Sequence, residues 1–202
     1  MVDRDVTTGG ARVALIALGA NLPGPLGGAE MMVAAAVTRL AEVLEVMAVS
    51  GFYCTPAFGP VPGPDYVNAA LSARWTGTAR DLMALLHAEE AHLGRDRAGA
   101  VRWAARLVDL DLLALDDLVL PDGPTHDDLR MRDRMDRLIP GSDDPILPHP
   151  GLHERAFVLR PLADIAPGWC HPRLGQTVTE MLAALPQADR DAIFPLPRQR
   201  LP

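Results

Sequence analysis

Apolar and polar positions recur along this chain with a period that changes from segment to segment, and each period predicts an element. Arg12 to Gly19, RVALIALG, is a short apolar run stopped by glycine and predicts a buried strand. The turn-rich NLPGPLGG follows it. From Met31 to Val46 the apolar residues fall at helical spacing, with Met32, Ala36, Leu40 and Leu44 on one stripe. Val46 to Cys54 suits a second strand. TPAFGPVPGP, ten residues with four prolines and two glycines, reads as an irregular loop. Tyr66 to Trp75 alternates with period two: Val67, Ala69 and Leu71 point one way, Tyr66, Asn68 and Ala70 the other. A helix comes next in TARDLMALLHAEEAHLG, with Thr78 as N-cap, Leu82, Leu85, Leu86 and Leu93 as its core stripe and Gly94 as its stop. LVDLDLLAL is a further strand, continued after two aspartates by the short run LVL.

The remainder is less regular. Residues 121–146 are rich in Asp, Arg and Pro and read as a polar insertion, with a short helix expected near Asp127 to Leu138. A helix is expected at about Thr177 to Leu185, followed by a tail. The order strand, helix, strand, strand, helix, strand predicts an α+β fold of split βαβ, ferredoxin-like type: a mainly antiparallel sheet with helices packed on it and long loops. At 202 residues the chain is long enough for one domain with a substantial core, so residues 1–202 are expected to form a single catalytic domain.

Composition narrows the chemistry. The 19 basic residues are all arginine, so no P-loop lysine and no kinase strand lysine is present. Any phosphate must be held by Arg, His, backbone N–H groups or a metal. A formal charge of −7 argues against nucleic acid as a partner. Cys54 and Cys170 have no metal-ligand spacing and suit a reducing compartment. With no apolar leader and no long apolar run, the expectation is a cytoplasmic protein away from membranes.

RWAARLVDLDLLAL, Arg102 to Leu115, carries the sharpest chemical signal. In a strand Asp109 and Asp111 project to one face, roughly 6.5–7 Å apart at Cα, while Val108, Leu110 and Leu112 face the core. Such a pair is either a solvated strand face or a seat for Mg²⁺ with substrate phosphates. Arg95, Arg97, Arg102 and Arg106 precede the carboxylates and suit phosphate recognition, against the alternative of a salt-bridged surface loop. Trp103 offers a flat wall for a heteroaromatic ring, or simple packing. Asn68 can both donate to and accept from a planar heterocycle; Glu90 read alone is a solvated helix residue. His149 and His153 lack the context of a metal pair, and His149 suits a phosphate contact.

Four blocks, ALGANL, FYCTPAFGPVPGPDYVNAAL, RWAARLVDLDLLAL and LPHPGLHERAFVLRPLADIAP, resemble in order and spacing the 6-hydroxymethyl-7,8-dihydropterin pyrophosphokinases of folate biosynthesis, over about Arg12 to Trp169. The resemblance implies transfer of the β,γ-diphosphate of ATP to the pterin hydroxymethyl oxygen, with release of AMP. It implies two Mg²⁺ ions on Asp109 and Asp111, with Asp109 also near the hydroxymethyl group. It places the pterin between Tyr66 and Phe157, with Thr55, Asn68, Pro56, Phe58 and Trp103 around it. It puts His87, Glu90, Arg97, Arg102, Trp103, Arg106, Leu112, His149 and Arg155 on ATP positions, Arg97 and Arg102 acting on the phosphates during transfer. Ala104-Ala105 stands where the family usually has Gly-Pro, and Ala98 or Gly99 where a basic residue is common. The partners expected are small molecules, and the chain is expected to be a monomer or a weak dimer. The competing readings are another two-metal nucleotide phosphohydrolase and a non-catalytic ferredoxin-like binding module.

Overall fold

The computed structural model describes residues 10–57, 63–95, 107–133 and 144–197. Strand β1 (Arg12–Ala20) leads to helix α1 (Ala29–Val43), strands β2 (Glu45–Val49) and β3 (Tyr53–Thr55), then β4 (Tyr66–Trp75), helix α2 (Ala79–His92) and β5 (Asp109–Leu115). Helices α3 (Gly123–Met131), α4 (Ala156–Ile165), α5 (Val178–Ala184) and α6 (Gln187–Asp191) and the short strand β6 (Phe194–Pro195) complete the order. The sheet runs β5-β1-β4-β3-β6, and β2 also pairs with β4. All described pairings are antiparallel. β4 therefore lies between β1 and the β2–β3 pair that α1 connects, and β1 lies between β4 and β5, which α2 connects. Two interleaved split βαβ units of this kind make a ferredoxin-like sheet.

Both faces of the sheet are covered. Ile16, Leu18, Leu71, Leu110 and Leu112 pack against Met32, Leu40, Leu82 and Leu86 of α1 and α2. Leu15, Ala70, Leu113 and Ala114 pack on the other face against Val158, Leu159 and Leu162 of α4 and Val178 and Met181 of α5. This is why β1 reads as a continuous apolar run rather than as an alternation. A register shift at Leu15/Ile16 lets β5 carry one extra residue, so Leu113 and Ala114 both turn to the α4 face.

The expected strand at Val46–Cys54 is two strands. Ser50 interrupts it by accepting the Ala70 N–H on its hydroxyl, 2.8 Å, and the next residue, Gly51, donates its N–H to Asp164. The run LVL does not extend β5. Asp116 takes a positive φ of 49° and turns the chain, its carboxylate accepting from Val13 N–H at 2.9 Å. Leu120 instead pairs with Leu147 through two backbone hydrogen bonds, so the chain between them leaves and returns at one point. The helix expected near Asp127–Leu138 begins earlier, at Gly123, because Asp122 caps it through Thr125 N–H at 2.9 Å. Helix α4 was not foreseen, since Pro161 lies inside it. Thr78 and Thr177 each head a helix with a full capping box.

Candidate active site

The site grows from the open end of the face that α4 and α5 cover. Three strands meet there in register. Asn68 on β4 lies opposite Gly19 on β1, and Gly19 lies opposite Asp109 on β5. One step along, Ala70, Ala17 and Asp111 form the next row. Because period-two alternation keeps these side chains on one face, Asn68, Asp109 and Asp111 share a surface. β1 supplies only Gly19 and Ala17 between them, which leaves a trough with polar walls and a small-residue floor. The fit at Gly19 is close: a Cβ there would stand 3.3 Å from Asn68 Oδ1.

Beyond β4 the face continues on β3. Thr55 pairs with Tyr66, and Asn68 Nδ2 donates to Thr55 Oγ1 at 2.8 Å. Both polar side chains are nearly buried, Thr55 at 1% exposure and Asn68 at 6%. Pro56 follows on the exposed side. Phe157 lies in the first turn of α4, half-buried against the same face, with the Arg155 guanidinium 6.0 Å from its ring centroid. Thr55, Tyr66, Asn68, Asp109, Asp111, Arg155 and Phe157 are thus assembled by β3, β4, β5 and the start of α4.

A buried ionic knot fixes the start of β5. Glu90, at 0% exposure, accepts the Leu110 N–H at 2.8 Å and a hydrogen bond from Arg95. Arg95 Nη1 also donates to Asp109 Oδ1 at 2.5 Å and to the Val108 carbonyl at 3.2 Å. Gly94, at φ +92°, ends α2 and turns the chain so that Arg95 folds back beside Glu90. The solvated-helix reading of Glu90 is therefore corrected: its carboxylate is internal, and a positively charged partner makes that burial tolerable. Arg95 stood among the arginines read as suited to phosphate, with salt bridging as the alternative, and its guanidinium is in fact paired with Glu90 and Asp109. Its place directly after a helix-stopping glycine was the available signal.

Leu112 turns its side chain to the core, as the strand alternation requires. It is 3% exposed and packs among the α1–α2 core residues, on the side of the sheet opposite Asp111. His149 is anchored by its N–H to the Leu113 carbonyl at 2.8 Å, and its Nδ1 accepts from Gly151 N–H at 3.0 Å. In the neutral ring that acceptance places the proton on Nε2. His87 lies half-buried on α2, one turn before Glu90. Phe58, Arg97, Arg102, Trp103 and Arg106 lie outside the described residues. Asn21, from the ALGANL block, is a further buried polar residue at the rim, donating to the Pro64 carbonyl at 3.3 Å.

Asp109 and Asp111 suit Mg²⁺ by donor type. They are hard oxygen ligands on one face, and no third His, Cys, Asp or Glu joins them as a metal cluster among the described residues. Mg²⁺ commonly takes one or two carboxylates and completes its shell with water and phosphate oxygens, so two protein ligands are enough.

An antiparallel α+β sheet of split βαβ order, with paired carboxylates and a polar trough on one face, defines a ferredoxin-like fold carrying a candidate phosphotransfer site. Residues 15–167 match the family described as 7,8-dihydro-6-hydroxymethylpterin-pyrophosphokinase (HPPK), and the chain belongs to that family, whose enzymes act in folate biosynthesis and use ATP. It is 34% identical over 185 residues to the 2-amino-4-hydroxy-6-hydroxymethyldihydropteridine pyrophosphokinase of Synechocystis sp., covering 91% of this chain and 80% of that one. It is 35% identical to the enzymes of the same name from Methylorubrum extorquens and Pseudomonas aeruginosa, covering 85% of this chain and 92% and 90% of theirs. The fold matches that of Plasmodium falciparum HPPK-DHPS with a TM-score of 0.60 at 13% identity, covering 86% of this chain and 41% of that longer one. Among the described residues no helix is long and apolar enough to cross a membrane.

Proposed function

We propose that the β3–β4–β5 face binds the reduced pterin beside Mg²⁺-ATP and transfers the terminal diphosphate to the pterin hydroxymethyl group. The observation that carries this reading is the row Asn68–Gly19–Asp109, which sets a heterocycle-reading amide and a metal-type carboxylate at opposite walls of one narrow trough.

Each side chain then has work that suits its chemistry. Asn68 uses one amide hydrogen on Thr55. Its Oδ1, its second amide hydrogen and the Thr55 hydroxyl remain suited to the mixed donors and acceptors of a 2-amino-4-oxo pterin edge. Tyr66 and Phe157 suit the two ring faces. Asp109, its orientation set by Arg95, lies where the hydroxymethyl group would arrive and orients that hydroxyl. The hydroxymethyl oxygen attacks the β-phosphorus, the bond from that phosphorus to the α,β-bridging oxygen breaks, and AMP leaves with that oxygen. Asp109 and Asp111 would hold Mg²⁺, which when bound neutralises phosphate charge. His149, through Nε2–H, and Arg155 donate to phosphate oxygens. Arg97 and Arg102 are assigned to the same phosphates by sequence position, Trp103 to the pterin, and Arg106 to the nucleotide.

Replacing Asp111 tests the assignment. Asp111→Ala is expected to abolish Mg²⁺-dependent release of AMP in the presence of pterin and ATP while leaving the melting temperature within a few degrees of the parent. Full activity in that variant would contradict the metal role.

A further inference from the structure

A second concave site lies away from the trough, where α4, α5 and α6 meet. Arg160, Thr179, Leu182, Ala183, Arg190 and Ile193 line a pocket of about 360 Å³. That volume is at the small end of ligand pockets. Half of the lining is apolar, and its polar part is two guanidiniums and a hydroxyl.

Among the described residues neither of the two arginines forms an ion pair with a carboxylate. Arg39, Arg74, Arg80, Arg95, Arg132 and Arg173 all form ion pairs with carboxylates. Arg160 has no such pair; it lies over the Tyr53 ring, 5.4 Å from its centroid, and hydrogen-bonds to that tyrosine, whose hydroxyl donates to Asp164. Arg190 spends one Nη on Gln187 at 2.6 Å, and its Nε is buried with no hydrogen-bond partner. The acids of the surrounding elements, Asp189 of α6 among them, form no ion pair with either arginine, and three of them accept hydrogen bonds from neutral groups. Asp164 accepts from Tyr53 and Gly51, Glu180 caps Thr177, and Asp191 accepts from Gln187. Two guanidiniums without a carboxylate partner, beside a floor of Leu182, Ala183 and Ile193, suit a ligand with one anionic end and an apolar body. A bare inorganic anion would leave that floor unused, whereas a planar carboxylate matches the guanidinium fork.

We propose that the α4–α5–α6 pocket is a binding site for a small organic monocarboxylate, its carboxylate between Arg160 and Arg190 and its apolar body on Leu182, Ala183 and Ile193.

Calorimetric titration of the whole chain at constant ionic strength tests this, with sodium benzoate and sodium hexanoate as probes and inorganic phosphate and benzyl alcohol as controls. The expected result is saturable one-to-one binding of at least one carboxylate, undiminished when ATP and Mg²⁺ are present. Arg160→Gln and Arg190→Gln should each weaken it by about tenfold or more. Arg160 is exposed, so its variant keeps the fold and the test does not rest on Arg190 alone. No saturation, equal binding of phosphate or benzyl alcohol, competition by ATP, or full affinity in a folded Arg160→Gln protein would each overturn the proposal.

Discussion

At Gly19 the absence of a side chain matters more than any flexibility. The residue lies between Asn68 and Asp109 in the sheet register, and a Cβ would already approach Asn68 Oδ1 to 3.3 Å. Gly19→Val should therefore raise the KM for the pterin by about tenfold or more, with a smaller change in melting temperature, because the branches project into the trough. An unchanged KM would show that the trough is not where the pterin lies. The two aspartates were legible in the sequence because period two puts Asp109 and Asp111 on one face, and their neighbours Leu110 and Leu112 pack as that reading requires. Glu90 was not legible. A helix carboxylate defaults to water, and its burial depends on Arg95 returning across a glycine turn and on Leu110 N–H arriving from β5. Both are contacts between distant or folded-back segments that no local period records.

At the scale of elements, α2 is both a support and an anchor. Its N-terminus is closed by the Thr78–Asp81 capping box and its C-terminus presents Glu90 to β5. Thr78→Ala should cost about 1 kcal/mol of unfolding free energy, read by urea denaturation. Glu90→Ala should cost more, about 3 kcal/mol, because it leaves the Leu110 N–H without its acceptor and removes one of the two carboxylates that Arg95 pairs with. Equal losses in the two variants would mean that the internal carboxylate adds nothing beyond ordinary helix capping. β1, β4 and α2 were readable from hydrophobic period and caps. The break between β2 and β3 was not, because Ser50 and Gly51 are held by Ala70 and Asp164, partners 20 and 113 residues away. α4 was hidden by Pro161, which tertiary packing of Val158, Leu159 and Leu162 on the sheet accommodates.

Across the whole molecule, α4 and α5 cover the sheet's second face, which makes three layers and leaves one end of that face open for the proposed chemistry. The same covering buries a histidine cluster. His171 and His126 are fully buried with ring centroids 5.9 Å apart, and His153 stands 6.5 Å from His171. Burial, reinforced by repulsion from His126, His153 and Arg130, lowers the His171 pKa from 6.5 to about 4, and burial lowers that of His126 as well, against its hydrogen bond to the Pro148 carbonyl and the pull of Asp127. A lowered histidine pKa means that the unfolded chain takes up a proton before the folded one does. Stability is therefore complete above pH 6.5 and declines as pH falls from 6.5 toward 4. Urea midpoints should drop across that window, and His171→Asn, which keeps an acceptor for the Arg173 N–H, should flatten the drop; an equally steep profile in the variant would assign it to other groups. The central claim concerns the trough itself and is tested most directly by product stoichiometry. With the reduced pterin, ATP and Mg²⁺, phosphorus NMR should show one AMP formed for each pterin diphosphate, with neither ADP nor inorganic phosphate accumulating. ADP, free phosphate, or nucleotide consumption without pterin would contradict it.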